Sequence, residues 1–225
     1  MSKYTLLIVE DNAKLNQSIR ALLQPFFAVT KAATIQQATA LIEDNPPFDL
    51  LLLDRTLPDG DGLQLISTLE TISPQTKICI LSQRDKLAEK LYGFEQGADV
   101  YLCKPIHFQE LRAQVIALTR RGRVYKNQLL ERGSFVLDTA SHSLTHLNHR
   151  LQLTLRESTI MAAFLDHPRG FLSKSQLFDL FWQLGHEPNS SVIHVTIQRL
   201  RRKLDPLQVT IQSLYGAGYQ LQLQD

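Results

Sequence analysis

Residues 49–62 read DLLLLDRTLPDGDG and place an unbroken apolar run against an aspartate and a turn. Leu50–Leu53 show no alternation of apolar and polar positions, so the strand they form is buried on both faces, as in a parallel sheet covered by helices on either side. Asp54 closes the run, and Pro58, Gly60 and Gly62 break the chain into a turn. Working outward from Asp49–Leu53, the same pattern recurs at Tyr4–Val9 (YTLLIV), Lys77–Leu81 (KICIL) and Asp99–Cys103 (DVYLC), with a weaker fifth strand at Phe27–Lys31. Between them Leu15, Ile19, Leu22 and Leu23 recur at helical spacing, as do Leu111, Val115 and Leu118.

Five such βα units predict an α/β flavodoxin-like doubly wound domain of five parallel strands, whose ligands gather at the carboxyl ends of the strands. Strand one ends in Glu10-Asp11, strand three in Asp54, strand four in Ser82 and strand five in Lys104-Pro105. Carboxylates converging on one edge repel unless a hard divalent cation lies among them, and an all-oxygen site with open positions suits Mg²⁺. A nearby lysine offers a point charge for a phosphoryl group and a hydroxyl can donate to one of its oxygens. Asp54 is then the nucleophile expected to accept a phosphoryl group. A haloacid-dehalogenase-type phosphotransferase would need a second Asp two residues on, where Thr56 stands. No G-x-G-x-x-G or G-x-x-x-x-G-K run points to nucleotide binding.

Composition narrows the class. At 225 residues, 44% hydrophobic and 20% charged, the chain has enough apolar content for packed cores. No apolar stretch approaches the roughly 18–20 residues that span a bilayer. Met1-Ser2-Lys3-Tyr4 runs straight into a strand, so no secretory leader and no membrane association are expected. Two cysteines make neither a disulfide framework nor a zinc site, which fits a cytoplasmic protein. Charge is unevenly divided: residues 1–118 hold 11 Lys/Arg and 14 Asp/Glu, whereas 119–130 hold Arg120, Arg121, Arg123 and Lys126 with no acid. Residues 131–225 hold 9 basic and 8 acidic residues. The expected organisation is a domain at 1–119, a basic linker at 120–130 and a second domain at 131–225.

The second domain reads as short strands at Val136–Asp138, Leu144–His146 and Leu151–Leu153, followed by the capping-box pattern Thr154-Leu155-Arg156-Glu157 opening a helix. A second helix follows Ser173, and Ser190/Ser191 open a third that Pro206 stops. Its Ile193, Ile197, Leu200 and Leu204 form an apolar stripe opposite His194, Gln198, Arg201 and Arg202, with Thr196, Arg199 and Lys203 flanking. Cations with His, Thr and Gln on one face suit the major groove of double-stranded DNA. Val209–Leu214 and Tyr219–Leu223 flank Gly216 and Gly218 as a terminal hairpin. His142, His146 and His149 fall on a strand and turn, and read as exposed hairpin residues rather than a metal site.

Glu10-Asp11, Asp54, Thr56 through Gly62, Ser82, Gly97-Ala98-Asp99-Val100-Tyr101 and Lys104-Pro105 together resemble the receiver domain of two-component response regulators. LTLRE, VIHVTIQRLRRKLD and IQSLYGAGYQL resemble the α+β winged helix-turn-helix domain of OmpR/PhoB-type regulators. The resemblance implies Asp54 as phosphoacceptor for a partner sensor histidine kinase. It implies Mg²⁺ held by Asp11, Asp54 and the Thr56 carbonyl, with Glu10 acting through water. Lys104 would contact the phosphoryl group, with a cis peptide before Pro105, and Ser82 and Tyr101 would reorient. The 85–120 face, with Lys90 and Glu110 as an intersubunit ion pair, would form a homodimer on promoter DNA. The 184–190 loop would face RNA polymerase.

Three positions depart from the family pattern. Tyr215 stands where the wing turn usually carries Arg, and Val100 and Gln114 replace a second Asp–Arg pair of the dimer face. The alternative reading is an atypical OmpR-type regulator that binds DNA independently of phosphorylation. A free-standing aspartyl phosphotransferase would leave the winged-helix half without a role, so no enzyme beyond phosphoryl transfer to and from Asp54 is expected.

Overall fold

The computed structural model describes residues 4–120, 129–183 and 190–222. The chain divides into two compact units, Met1–Thr119 and Arg120–Asp225. The first runs β1 (Tyr4–Val9), α1 (Ala13–Leu23), β2 (Phe27–Ala32), α2 (Ile35–Asp44) and β3 (Leu50–Asp54). A small ladder of β4 (Thr56–Leu57) against β5 (Gly60–Asp61) leads into α3 (Gln64–Ile72), β6 (Lys77–Ser82), α4 (Leu87–Gln96), β7 (Val100–Cys103) and α5 (Phe108–Arg120). The main strands are parallel in the order β2-β1-β3-β6-β7, a doubly wound flavodoxin-like sheet.

The unbroken apolar runs resolve into two faces. Leu7, Val9, Leu51, Leu53, Ile78 and Ile80 pack with Ala38 and Ile42 of α2 and with Leu65, Ile66 and Leu69 of α3. The alternate residues Leu6, Ile8, Leu50, Leu52, Cys79 and Leu81 pack with Ile19 and Leu23 of α1 and with Leu111, Val115 and Leu118 of α5. Each fully buried aliphatic side chain contributes about 1.5–3 kcal/mol relative to exposure, so a register slip is disfavoured on both faces. Val100 belongs to the second face and is buried. The position where the family pattern places the Asp of a dimer-face pair is therefore a core position here. Burial pushes the Cys79 thiol up, leaving it in its neutral form.

The second unit opens with an antiparallel sheet, β8 (Leu129–Arg132), β9 (Phe135–Asp138), β10 (Ser143–His146) and β11 (His149–Gln152), in sequential order. α6 (Leu155–Asp166) begins at a complete capping box: Thr154 Oγ1 accepts from Glu157 N–H, and Glu157 Oε2 accepts from Thr154 N–H. β12 (Phe171–Ser173) precedes α7 (Lys174–Gln183), whose Gln176 N–H donates to Ser173 Oγ. α8 (Ser190–Leu204) ends in a 3₁₀ turn at Asp205–Leu207, and β13 (Thr210–Leu214) and β14 (Gly218–Gln222) form the terminal hairpin.

Several expectations need correction. Arg120 closes α5 and Leu129-Leu130 open β8, so both ends of the expected 120–130 linker are regular structure; residues 121–128 lie outside the described residues. β8 escaped the sequence reading because it alternates exposed and half-buried positions with no apolar run. β12 pairs with β14, so the hairpin has a third strand. Of the three histidines, only His149 is exposed. His142 is buried with Nδ1 3.1 Å from Ser158 Oγ, and His146 stacks on Phe135 at 4.0 Å between centroids.

Candidate functional site

The carboxyl ends of β1, β3 and β7 bring Glu10, Asp54 and Lys104 together. Glu10 is 1% exposed and Asp54 4%, whereas Asp11 is exposed. Lys104 Nζ donates to Asp54 Oδ2 at 2.5 Å and to Glu10 Oε2 at 2.8 Å. Asp54 Oδ1 accepts from Thr56 N–H at 3.0 Å, and Glu10 Oε1 accepts from Asn12 N–H at 3.2 Å. Burial raises the Glu10 pKa above its ordinary value; Asp54 adds to the rise, while Lys104 opposes it. Burial alone would lower the Lys104 pKa, but its bonds to Asp54 and Glu10 outweigh it and keep the ammonium charged. The Lys104–Pro105 bond is cis.

Among the described residues, Glu10, Asp11 and Asp54 form a group able to hold a metal, each offering an oxygen within 4.8 Å of the others. All-oxygen donors, two of them buried and one open to solvent, fit a hard divalent cation that keeps part of its water. The turn after Asp54 is shaped by close approach, because a Cβ on Gly62 would lie 2.2 Å from the Asp54 carbonyl oxygen. Asp59 accepts from Ile35 and Gln36 N–H at 2.9 and 3.0 Å, tying this turn to the start of α2. These two backbone bonds hold its carboxyl below the usual range.

Ser82 and Tyr101 converge on one residue. Ser82 Oγ accepts from Arg84 N–H at 3.1 Å, and Tyr101 OH donates to the Arg84 carbonyl at 2.8 Å. Thr56 is exposed. Lys90 is half-buried on α4, and Glu110 is exposed on α5.

In the second unit, the exposed side of α8 carries His194 and Arg202, with Gln198 half-buried and its Nε2 3.5 Å from His194 Nε2. Ser191 and Val195 share this stripe at helical spacing, a signal present in the sequence but obscured by their small size or apolar character. Three expected contact residues are engaged within the unit instead, Thr196 buried and Arg199 and Lys203 half-buried. Thr196 is buried, with Oγ1 donating to the Val192 carbonyl. Arg199 Nε donates to Glu157 Oε1 at 3.0 Å, and Lys203 Nζ donates to Glu157 Oε2 at 2.8 Å. Glu157 is 1% exposed; burial would raise its pKa, but Lys203 and Arg199 hold it below its ordinary value. Arg201 lies against the hairpin, with Nε donating to the Ile211 carbonyl at 2.7 Å and Nη2 to Ser213 Oγ at 2.8 Å. Tyr215 stands fully exposed at the hairpin tip, followed by Gly216 at φ +71°. The 184–189 part of the expected polymerase-facing loop lies outside the described residues.

Residues 6–116 match the response regulator receiver domain family, and residues 148–221 match the family described as transcriptional regulatory protein, C terminal. The chain is 32% identical to the transcriptional regulatory protein TcrA of Mycobacterium tuberculosis, over 98% of this chain and 88% of that one. It is 34% identical to the response regulator protein PmrA of Pseudomonas aeruginosa, over 95% and 96%. It is 31% identical to the transcriptional regulatory protein CusR of Escherichia coli, over 98% of each. A solved RitR mutant superposes with a TM-score of 0.82 at 25% identity, over 98% of this chain and 100% of its own. No described helix is long and apolar enough to cross a membrane.

Proposed function

The chain belongs to the OmpR/PhoB-type two-component response regulators, and from that premise we propose that Mg²⁺-dependent phosphorylation of Asp54 controls its binding to DNA. The observation that carries this reading is the cluster of Glu10, Asp11, Asp54 and Lys104 at adjoining strand ends. A carboxylate oxygen of Asp54 attacks phosphorus of a phosphohistidine on a sensor kinase, the P–N bond breaks, and the imidazole leaves. Asp11 and Asp54, with Glu10 through water and the Thr56 carbonyl, are the groups that would hold Mg²⁺. The ion supplies positive charge to the phosphoryl oxygens. Lys104 is already charged and placed to follow the phosphoryl group.

Ser82 then turns its hydroxyl from Arg84 N–H to a phosphoryl oxygen, and Tyr101 follows. The 85–120 face, including Lys90 and Glu110, pairs two copies in the cytoplasm, and the α8 stripe enters a major groove of promoter DNA. RNA polymerase contact through the 184–190 loop belongs to the same proposal. Intact mass after incubation with acetyl phosphate tests the phosphorylation step. One phosphoryl adduct is expected with Mg²⁺ and essentially none after EDTA treatment. A folded wild type that takes no adduct in either condition would favour constitutive DNA binding.

The base-reading role falls to His194, Gln198 and Arg202, whereas Arg201 is held to the hairpin and Thr196, Arg199 and Lys203 support the helix from within. Tyr215 reaches a phosphate or sugar from the wing tip without contributing charge. Tyr215→Arg is therefore expected to tighten binding to a duplex selected from a random pool and to steepen the salt dependence by about one phosphate, a slope change of roughly 0.9. Binding titrations from low to high salt measure it, and an unchanged slope counts against a wing contact with the DNA backbone.

A further inference from the structure

Arg55 follows Asp54 directly and is 3% exposed, yet the phosphoryl chemistry makes no use of it. Its Nε lies 3.2 Å from Asp61 Oδ2 in the turn, and its Nη1 lies 2.5 Å from Glu89 Oε2 on α4. The guanidinium also sits 5.5 Å from the centre of the Tyr92 ring, one turn further along α4. Glu89 is shared, because Arg84 Nη1 is 3.6 Å from the same oxygen. Arg84 is the residue whose N–H and carbonyl are held by Ser82 and Tyr101. One short segment between β6 and α4 is thus gripped by both switch side chains and by an ion pair that leads back to the residue beside Asp54.

This arrangement belongs to a free Asp54 carboxylate, whose oxygens are engaged by Lys104 and the Thr56 N–H. When Ser82 leaves Arg84 for a phosphoryl oxygen, the Arg84 segment and α4 can shift only if the Arg55–Glu89 contact gives way or follows. A guanidinium whose side chain is 4% exposed, held by two carboxylates that are each about one third exposed and by an aromatic face, resists that shift, because leaving them strands a largely buried charge.

We propose that Arg55 is a positioning residue that latches α4 and the 83–86 segment through Glu89, and so sets how readily phosphorylation of Asp54 is transmitted to the 85–120 face. The inference rests on Asp54 being the phosphoacceptor. Contacts that favour the free-carboxylate arrangement must weaken binding of a phosphoryl group by the same factor, since coupling between sites is reciprocal. A merely structural Arg55 makes the opposite prediction, because loosening the site leaves affinity unchanged or lowers it.

The test titrates the full-length wild type, Arg55→Met, Arg55→Lys and Glu89→Gln with beryllofluoride at fixed Mg²⁺, reading bound fluoride by ¹⁹F NMR. Hydrogen exchange over residues 84–96 is followed with and without the mimic. Arg55→Met and Glu89→Gln are expected to bind the mimic about 5–30-fold more tightly, with Arg55→Lys close to wild type. Their exchange over 84–96 without the mimic should approach that of the wild type with it. Unchanged or weaker mimic binding in both Arg55→Met and Glu89→Gln overturns the latch. A wild type that binds no mimic and takes no phosphoryl adduct removes the phosphoacceptor reading itself, a failure visible before any variant is compared.

Discussion

Asp54→Ala is expected to take no phosphoryl group under conditions that give the wild type one adduct, and to lose the response of DNA binding to phosphodonor. Asp54 is a buried carboxylate placed between a lysine and two further carboxylates at the edge of the sheet. Without its oxygens that edge loses the proposed nucleophile, leaving Glu10 and Asp11, the carboxylates proposed to serve the cation. The fold should persist: Lys104 keeps its 2.8 Å bond to Glu10, and Glu10 loses a neighbouring charge that raised its pKa. Circular dichroism gives the folding control, intact mass gives the adduct, and a mobility shift with and without acetyl phosphate gives the binding response. If Asp54→Ala binds DNA as tightly as the phosphorylated wild type, the phosphorylation-independent alternative is the better account.

The receiver half was legible because its physics is local. Strands buried on both faces read as apolar runs, and each chemical residue sits one or two places beyond such a run, so sequence position alone puts Glu10, Asp54, Ser82 and Lys104 on one edge. Arg55 and Asp59 carry no role legible in the sequence, since apart from Asp61 in the turn their partners lie on α4 and α2, and nothing in the turn says that a cation there is buried. In the winged-helix half the order of the three helices and the terminal hairpin is legible in the sequence, whereas β8 and β12 are not, and the surfaces are read less well. Helical spacing identified the buried stripe of α8, yet it could not tell which flank of the polar arc meets solvent. Arg199 and Lys203 face a carboxylate more than 40 residues earlier in the chain, and the sequence showed Glu157 only as a capping residue. Long polar side chains satisfied across a core carry no periodic signature of their own.

That carboxylate gives the second large effect. Glu157→Ala is expected to destabilise the second unit by about 3–5 kcal/mol, the usual cost of removing one partner from a buried ion-pair group. Glu157 accepts from Arg199, Lys203 and the Thr154 N–H at once, so the substitution removes the α6 capping box together with the anion that holds two cations of α8. A loss of that size lowers the melting temperature of a unit this small by more than about 10 °C, readable by scanning calorimetry. Glu157→Gln keeps the shape and one acceptor, and should fall between Glu157→Ala and the wild type. The pH dependence separates charge from packing. The folded pKa of Glu157 lies below its ordinary value of 4.5, so its contribution is complete above that value and is lost as pH falls through the folded pKa. The gap in stability between wild type and Glu157→Gln should therefore be wide at neutral pH and narrow under acid, and a gap that stays constant would mean the carboxylate acts by shape alone. Because Arg199 and Lys203 lie on the element that carries His194, Gln198 and Arg202, Glu157→Gln should also weaken DNA binding without any contact to DNA. Arg202→Ala, on the exposed side of α8, should weaken DNA binding while lowering the melting temperature by less than Glu157→Ala does.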